Sequence, residues 1–463
     1  MELFEIQAPS LLERLRHNIL PLDVEKKTIR SSIDIARSRV LALQNQSTST
    51  IIETEALSRY VAEYSSLLAP IRRLPVDILR RIFVDPIVYK KKWRHIDRDS
   101  ILLHYRPNSL GAVCYHWRCV SLETATLWSS LMVFLNEPDR YTVDGLRVAL
   151  QRSQKAPLHL VFRPVISSSW SALDAEMMRE VCKHSERWVS VEVSSNRELL
   201  RQLAPVENRL DSLQTLTMLP PDKLSIKPGA RQCKVFAQSP KLRTLRLIKN
   251  LFHSPSTAPI FPWSQLTRLC VGGLWDSSGY HYVLSQAQNV RELSSCIWGI
   301  PDYSPLQATV HHLHKLHVYD DGLPSESELN VLNHLTAPAF KELLVSRCKL
   351  NNLTGLTIQA FLSRSSATLQ SLALHATPVR AVDLVSLLRM VPTVERLVLA
   401  NLLPNVVTNQ VVQSLTARAS SAEEILLPMM TSFVIDGGYL FTPDALFSML
   451  ESRLASTNAL SQL

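Results

Sequence analysis

The sequence predicts an α/β chain in which a solenoid of strand–turn–helix units follows a small all-α module and an N-terminal amphipathic helical segment. Three observations carry this reading. From about Trp128 onward an apolar spacing with steps of three and then two residues recurs every 23 to 29 residues, which a lone buried strand has no reason to do. Residues 70–83 and 113–128 each place apolar residues at helical spacing, with Trp117 and Trp128 in the second block. Ahead of them, residues 10–68 are rich in Leu, Ile, Arg and Glu, with apolar positions at mixed threes and fours.

In chain order, residues 1–68 form the lead-in. Leu15, Ile19, Leu22, Ile29, Ile33, Val40 and Leu43 mark its apolar face, and Pro21 and the polar run 44–50 interrupt it. Two helical pieces are expected, the second over residues 51–68. A coiled coil needs apolar a and d positions over three or four heptads. This pattern is too irregular for more than weak self-association, and a helical hairpin capping the next module is the competing reading.

Residues 69–133 form the module. Pro70 suits a first helical turn, where a fixed φ helps and a missing N–H costs nothing. Past Pro75, Ile78, Leu79, Ile82 and Phe83 give an apolar face that leaves Asp77, Arg80 and Arg81 to one side. So short a helix needs partners to pack on. Val113, Cys114 and Trp117 supply a second stripe, followed by Leu127 and Trp128. Asp85-Pro86 breaks the first helix, and a basic insertion at about 84–108 contains Lys90-Lys91-Lys92-Trp93-Arg94-His95.

The order Leu-Pro, Ile-Leu, Ile-Phe, Val-Cys, Trp-Arg, Leu-Trp resembles a divided F-box, with the insertion as its departure from the family pattern. The lead-in ending in Ala69-Pro70-Ile71-Arg72-Arg73-Leu74-Pro75 is similar to F-box proteins of mushroom-forming fungi. The resemblance implies a three-helix domain that docks on the Skp adaptor of cullin-based ubiquitin ligases. The adaptor-binding residues it implies are Leu74, Pro75, Ile78, Leu79, Ile82, Phe83, Val113, Cys114, Trp117, Leu127 and Trp128.

Residues 134–463 carry the repeats. Leu242-Arg243-Thr244-Leu245-Arg246-Leu247-Ile248-Lys249-Asn250 and 340–348 fit the leucine-rich-repeat template L-x-x-L-x-L-x-x-N/C. Weaker copies begin at Trp188, Leu213, Leu266, Val290, Leu313, Leu369, Val394 and Ala422, and segments such as 328–335 and 382–388 read as the intervening short helical or irregular stretches, so each unit looks like strand, turn, helix. On such strands the leucines point into the core, and the residues between them point out along a concave sheet. Thr244, Arg246, Arg268, Cys270, Glu292, Ser294, Lys315, His317, Glu342, Leu344, Ser371, Ala373, Arg396, Val398 and Glu424 fall outward. Arg246, Arg268, Lys315, His317 and Arg396 are the candidate target-binding residues. That face mixes charges, as a protein-binding surface does.

The rest of the sequence narrows the function. No signal peptide or membrane-length apolar run occurs, and a soluble chain of the cytoplasm or nucleus is expected. Seven scattered cysteines without C-x-x-C spacing predict reduced thiols, neither disulfides nor zinc. Eleven of the basic residues lie within 72–118, against four acids there, so much of the net charge of +9 sits in and around the module. That excess suits an acidic protein partner better than nucleic acid. No phosphate loop, metal helix or nucleophile elbow is present, and neither catalysis nor a cofactor is expected. His311, His312, His314 and His317 form a cluster, but the repeat template already uses Leu313, Leu316 and Val318 for the core, and no Cys or acid completes a metal set. The function implied is a substrate receptor of a Skp–cullin–F-box ubiquitin ligase with an unidentified protein target. The alternative is an F-box and repeat scaffold without ligase activity.

Overall fold

The structure is a computed structural model that describes residues 5, 10–44, 51–84, 105–135, 139–164, 170–219, 233–248, 260–274, 277–298, 308–319, 330–348, 352–417 and 426–460. The basic insertion around Lys90 to Arg94, with Trp93, and the outward position Glu424 lie outside the described residues. The chain divides into two compact units, Met1–Leu160 with Trp170–Val181, and Val161–Ser169 with Cys182–Leu463.

The first unit begins with α1 (Leu11–His17), α2 (Asp23–Gln44) and α3 (Ile51–Leu68). Three helices stand where two pieces were expected, because Pro21 separates α1 from α2. Helix α1 is defined at both ends. Ser10 and Glu13 form a reciprocal capping box, and Asn18 closes the helix in the left-handed region at φ 55°. Helices α2 and α3 pack on each other as a hairpin. Its core is Ile29, Ile33 and Tyr64, with Leu11, Tyr60, Val61 and Leu68 against them.

The chain continues through α4 (Val76–Val84), α5 (Tyr105–Val113) and α6 (Tyr115–Glu123). One buried cation fastens the lead-in to this module. The Arg72 guanidinium donates to Ser66 O at 2.7 Å, Ser66 Oγ and Asn18 Oδ1 at 3.2 Å and Leu15 O at 3.3 Å. The expected single stripe through Val113, Cys114 and Trp117 is in fact two helices. Cys114 sits between them in extended backbone, and its Sγ accepts from Trp117 N at 3.5 Å, so it caps α6. Trp128 is buried, donates from Nε1 to Ser121 O at 2.9 Å, and lies 4.6 Å beneath the Arg152 guanidinium.

Next come β1 (Ser130–Leu135), α7 (Arg140–Arg152), β2 (Leu158–Pro164) and α8 (Ala172–Cys182). These alternations precede the first repeat copy seen in the sequence. The 69–133 segment thus runs past its last helix into a strand.

The second unit continues with β3 (Trp188–Ser194), α9 (Arg197–Gln202), β4 (Thr215–Leu219), β5 (Thr244–Ile248), β6 (Arg268–Leu274), α10 (Ser277–Gln286), β7 (Glu292–Trp298), β8 (Ala308–Thr309), β9 (Lys315–Tyr319), β10 (Leu335–Thr336) and β11 (Glu342–Ser346). It ends with α11 (Asn352–Ser365), β12 (Ser371–His375), α12 (Ala381–Arg389), β13 (Arg396–Leu402), α13 (Asn409–Ser414), β14 (Ser432–Gly437) and α14 (Pro443–Leu460). Its long sheet is ordered β3-β4-β5-β6-β7-β9-β11-β12-β13-β14, and each neighbour pair is parallel. Short β8 and β10 pair separately. Parallel neighbours in sequence order, each joined by a crossover, are what a stacked repeat requires.

The register repeats from unit to unit. Leu213, Leu242, Leu266, Val290, Leu313, Phe340, Leu369 and Val394 are buried, and each lies two residues before its strand. The residue between them and the strand carries a continuous chain of backbone bonds. The N–H of Arg243 donates to Gln214 O, and so on through Thr267, Arg291, His314, Lys341, Gln370, Glu395 and Thr431, all at 2.8–3.0 Å. This chain places the last copy at Met430 and corrects the expected start at Ala422. Leu426 and Leu427, which follow that start, are buried in a bend, and Ser432-Phe433-Val434-Ile435 takes the strand.

The crossovers vary more than the strands. Within the short helical or irregular stretch expected over 328–335, residues 330–334 form a 3-10 turn and Leu335–Thr336 is strand β10. Pro338 follows and could not continue a helix, and Asn330 and Asn333 favour turns.

Candidate functional site

Two surfaces collect the residues singled out by sequence, one in each unit. In the first unit, α4 opens on Pro75, whose carbonyl accepts from Ile78 N at 3.0 Å and Leu79 N at 3.1 Å. Successive apolar residues of a helix point about 100° apart. The two pairs spaced four residues apart therefore face different ways. Leu79 and Phe83 are 0% and 1% exposed, and the Phe83 ring lies 4.8 Å from Trp117. Ile78 and Ile82 are 40% and 46% exposed.

The eleven predicted adaptor-binding residues sort accordingly. Pro75, Ile78, Ile82 and Val113 are exposed, and Leu74, Cys114 and Trp117 are half-buried. Leu79, Phe83, Leu127 and Trp128 are buried, so they pack the module and offer no surface to a partner. Arg80 ties α4 to α6 by reaching Glu123 at 3.2 Å, with Asp77 at 3.4 Å.

In the second unit, the in-register strands arrange their outward residues in rows. One row reads Thr215, Thr244, Arg268, Glu292, Lys315, Glu342, Ser371, Arg396 and Ser432. The next reads Thr217, Arg246, Cys270, Ser294, His317, Leu344, Ala373, Val398 and Val434. Of the five predicted target-binding residues, two are already engaged. Arg268 Nε meets Glu292 at 3.0 Å, and Lys315 Nζ meets Glu342 at 3.2 Å. Arg246 and Arg396 are exposed and have no ion partner among the described residues. His317 is half-buried, with Nε2 2.9 Å from Ser346 Oγ and its ring 5.1 Å from Tyr319. Burial first, then nearby Lys315 and His375, hold its imidazole below the ordinary value.

Sequence reading missed the row beyond these. Tyr319 reaches across to Cys270, its hydroxyl 3.5 Å from Sγ, and burial pushes that thiol up. Gly272 makes room for it, since a Cβ there would sit 3.2 Å from the Tyr319 hydroxyl. His375 Nε2 and Asn401 Nδ2 are 3.1 Å apart further along. Aligning the copies side by side gives these neighbours, including the alternation of Arg268, Glu292, Lys315 and Glu342 that predicts pairing.

The histidine cluster does not converge. His311 and His312 lie in a turn before β9, His314 Nδ1 is 2.6 Å from His312 O, and only His317 is on the strand. Among the described residues no group of three or more His, Cys, Asp or Glu is placed to hold a metal ion. No helix among them is long and apolar enough to cross a membrane. Cys114, Cys119, Cys182, Cys233, Cys270 and Cys348 are free thiols.

No family model and no curated protein matches the chain. Among solved structures it is similar to a chain in the crystal structure of a TLR13–ssRNA13 complex, at 18% identity and a TM-score of 0.28. The likeness covers 59% of this chain and 32% of that one, so this chain spans about a third of that chain's length. It is too slight to bear on function. The strands themselves establish a mixed α/β protein with a long parallel sheet and helices, in a leucine-rich-repeat-like arrangement.

Proposed function

We propose that the chain is the substrate-recognition subunit of a Skp–cullin–F-box ubiquitin ligase, its helical module docking on the Skp adaptor and its sheet holding a protein target. The observation that carries the reading is Ile78 and Ile82, two aliphatic side chains four residues apart and each more than a third exposed on α4. A helix that only packed inward has no use for them, whereas interfaces concentrate energy in a few apolar anchors. The outward rows of the sheet add a mixed polar surface suited to a protein. In this reading the chain performs no chemistry itself, takes no cofactor, and works in the cytoplasm or nucleus while a separate enzyme transfers ubiquitin.

The test is co-purification of full-length chain with a purified Skp-family adaptor. Ile78→Glu with Ile82→Glu should abolish capture while the melting temperature holds. Undiminished capture by that double variant would refute the docking assignment. Adaptor capture without target ubiquitination in a reconstituted cullin system would favour the non-ligase scaffold.

A further inference from the structure

Resting on that reading of the sheet as the target-binding surface, we propose that its recognition centre lies over strand β12 and takes a partner-protein segment pairing an apolar side chain with a carboxylate. Three features of the register point there. First, the inner outward row changes character along the sheet. It runs Thr217, Arg246, Cys270, Ser294 and His317 over β4 to β9, then Leu344, Ala373, Val398 and Val434 over β11 to β14. Neighbouring strands lie about 4.8 Å apart, so these four make one continuous apolar stripe.

Second, in these two rows β12 carries the smallest side chains of that stretch, Ser371 and Ala373, both half-buried, with His375 exposed beyond them at the strand's end. Their neighbours are larger. Glu342 and Leu344 stand on β11, and Arg396 and Val398 on β13. The result is a shallow trough about 10 Å between its walls, with an apolar half (Leu344, Ala373, Val398) and a polar half (Glu342, Ser371, Arg396).

Third, the charges of the polar half do not balance. Glu342 is held by Lys315 at 3.2 Å, on the side away from the trough. Arg396 is exposed, flanked in its row by Ser371 and Ser432, and has no ion partner among the described residues. Arg396 and Val398 are two residues apart on one strand, about 7 Å. A ligand side chain buried against Ala373 and Val398 therefore brings a flanking carboxylate within reach of the guanidinium, whose planar fork suits it. A basic segment would meet that same cation unfavourably.

The experiment selects a library of random linear peptides on immobilised full-length chain, then titrates the enriched peptides by fluorescence anisotropy. The expected peptides carry an aliphatic or aromatic residue beside Asp or Glu. Ala373→Trp, which fills the trough at an outward position, should weaken them about tenfold or more. Arg396→Glu should weaken them comparably and shift the selection toward Lys and Arg. Arg389→Glu, exposed on α12 and outside both rows, should leave them unchanged. Enrichment of no peptide, of basic peptides by the parent chain, or of peptides that both Ala373→Trp and Arg396→Glu retain overturns the proposal. Should Ala373→Trp melt early, Arg396→Glu and Val398→Asp carry the test. Adaptor capture is measured on the same proteins. Peptide failure with intact capture sinks this proposal alone, and absent capture with the expected peptides sinks the ligase assignment alone.

Discussion

Helix α4 and strand β5 each carry inward and outward positions, but they use them differently. In β5 the alternation is complete: Leu245 and Leu247 are fully buried, and Thr244 and Arg246 face out. In α4, Leu79 and Phe83 fill the core, and Ile78 and Ile82 remain outside with nothing apolar left to cover. A strand in a stack is solved by a two-residue period, and its neighbours repeat the solution. A short helix has a wider choice of faces, so apolar residues beyond one stripe are a surplus that packing does not explain. The repeat unit is thus specified by what it buries, and the helical module by what it leaves out.

The largest expected effects test that division within one helix. Phe83→Ala should cost about 3–5 kcal/mol in denaturant unfolding, as should Trp128→Ala, and Leu343→Ala or Leu372→Ala about 2–5 kcal/mol. Ile82→Ala should stay within about 0.5 kcal/mol yet impair adaptor capture. A large stability loss at Ile82 would erase the contrast.

Arg72 comes next. Its guanidinium serves four acceptors from Leu15, Asn18 and Ser66, and Arg72→Met should cost about 1.5–3 kcal/mol, the range for a hydrogen bond to a charged group. Loss of amide protection confined to α1 and the end of α3 would sharpen the assignment of this side chain as the fastener of the lead-in.

Acid should weaken the fold through partly buried imidazoles. Desolvation lowers the pKa of the half-buried His116 and His317. The unfolded chain then binds protons near its ordinary value of about 6.5, where the native chain does not. Stability from these groups is therefore present above that pH and declines as pH falls below it toward the depressed native values. His317→Gln should flatten part of the melting-temperature loss between neutral and mildly acidic buffer, and an unchanged slope would count against it.

The smallest effect is expected on the outer face of the sheet. Arg268 and Glu292 are well exposed, and Arg268→Ala should cost under about 1 kcal/mol in denaturant titration, less in high salt. A cost like that of Leu343→Ala would mean that the outer face is structural.

The inward ladder was legible because Leu242, Leu245 and Leu247 recur with the same spacing in each copy, and one strand's register implies the next. The final strand was misplaced because Leu426 and Leu427 resemble a ladder fragment, whereas β14 begins after a longer crossover and carries Phe433 and Ile435. Strands β1 and β2 were missed for a related reason. Leu131-Met132-Val133 and Leu158 to Phe162 are apolar runs that depart from the leucine spacing. In the helical module the pattern identified the apolar positions but not their sides, since Ile78 and Leu79 differ only in which way 100° of rotation turns them.

The shared register also bears on how such a chain can change by descent. Lys341 bonds to His314 as Gln370 bonds to Lys341, and Glu342 sits opposite Lys315 as Ser371 sits opposite Glu342. A deletion joining Lys341 to Ser371 would remove one strand and one helix, yet seat Ser371 where Glu342 had been and re-aim no remaining side chain. Unequal crossing-over between copies would then shuffle whole columns of the outer face without disturbing their spacing, so the gene could change that surface a column at a time, faster than point substitution allows.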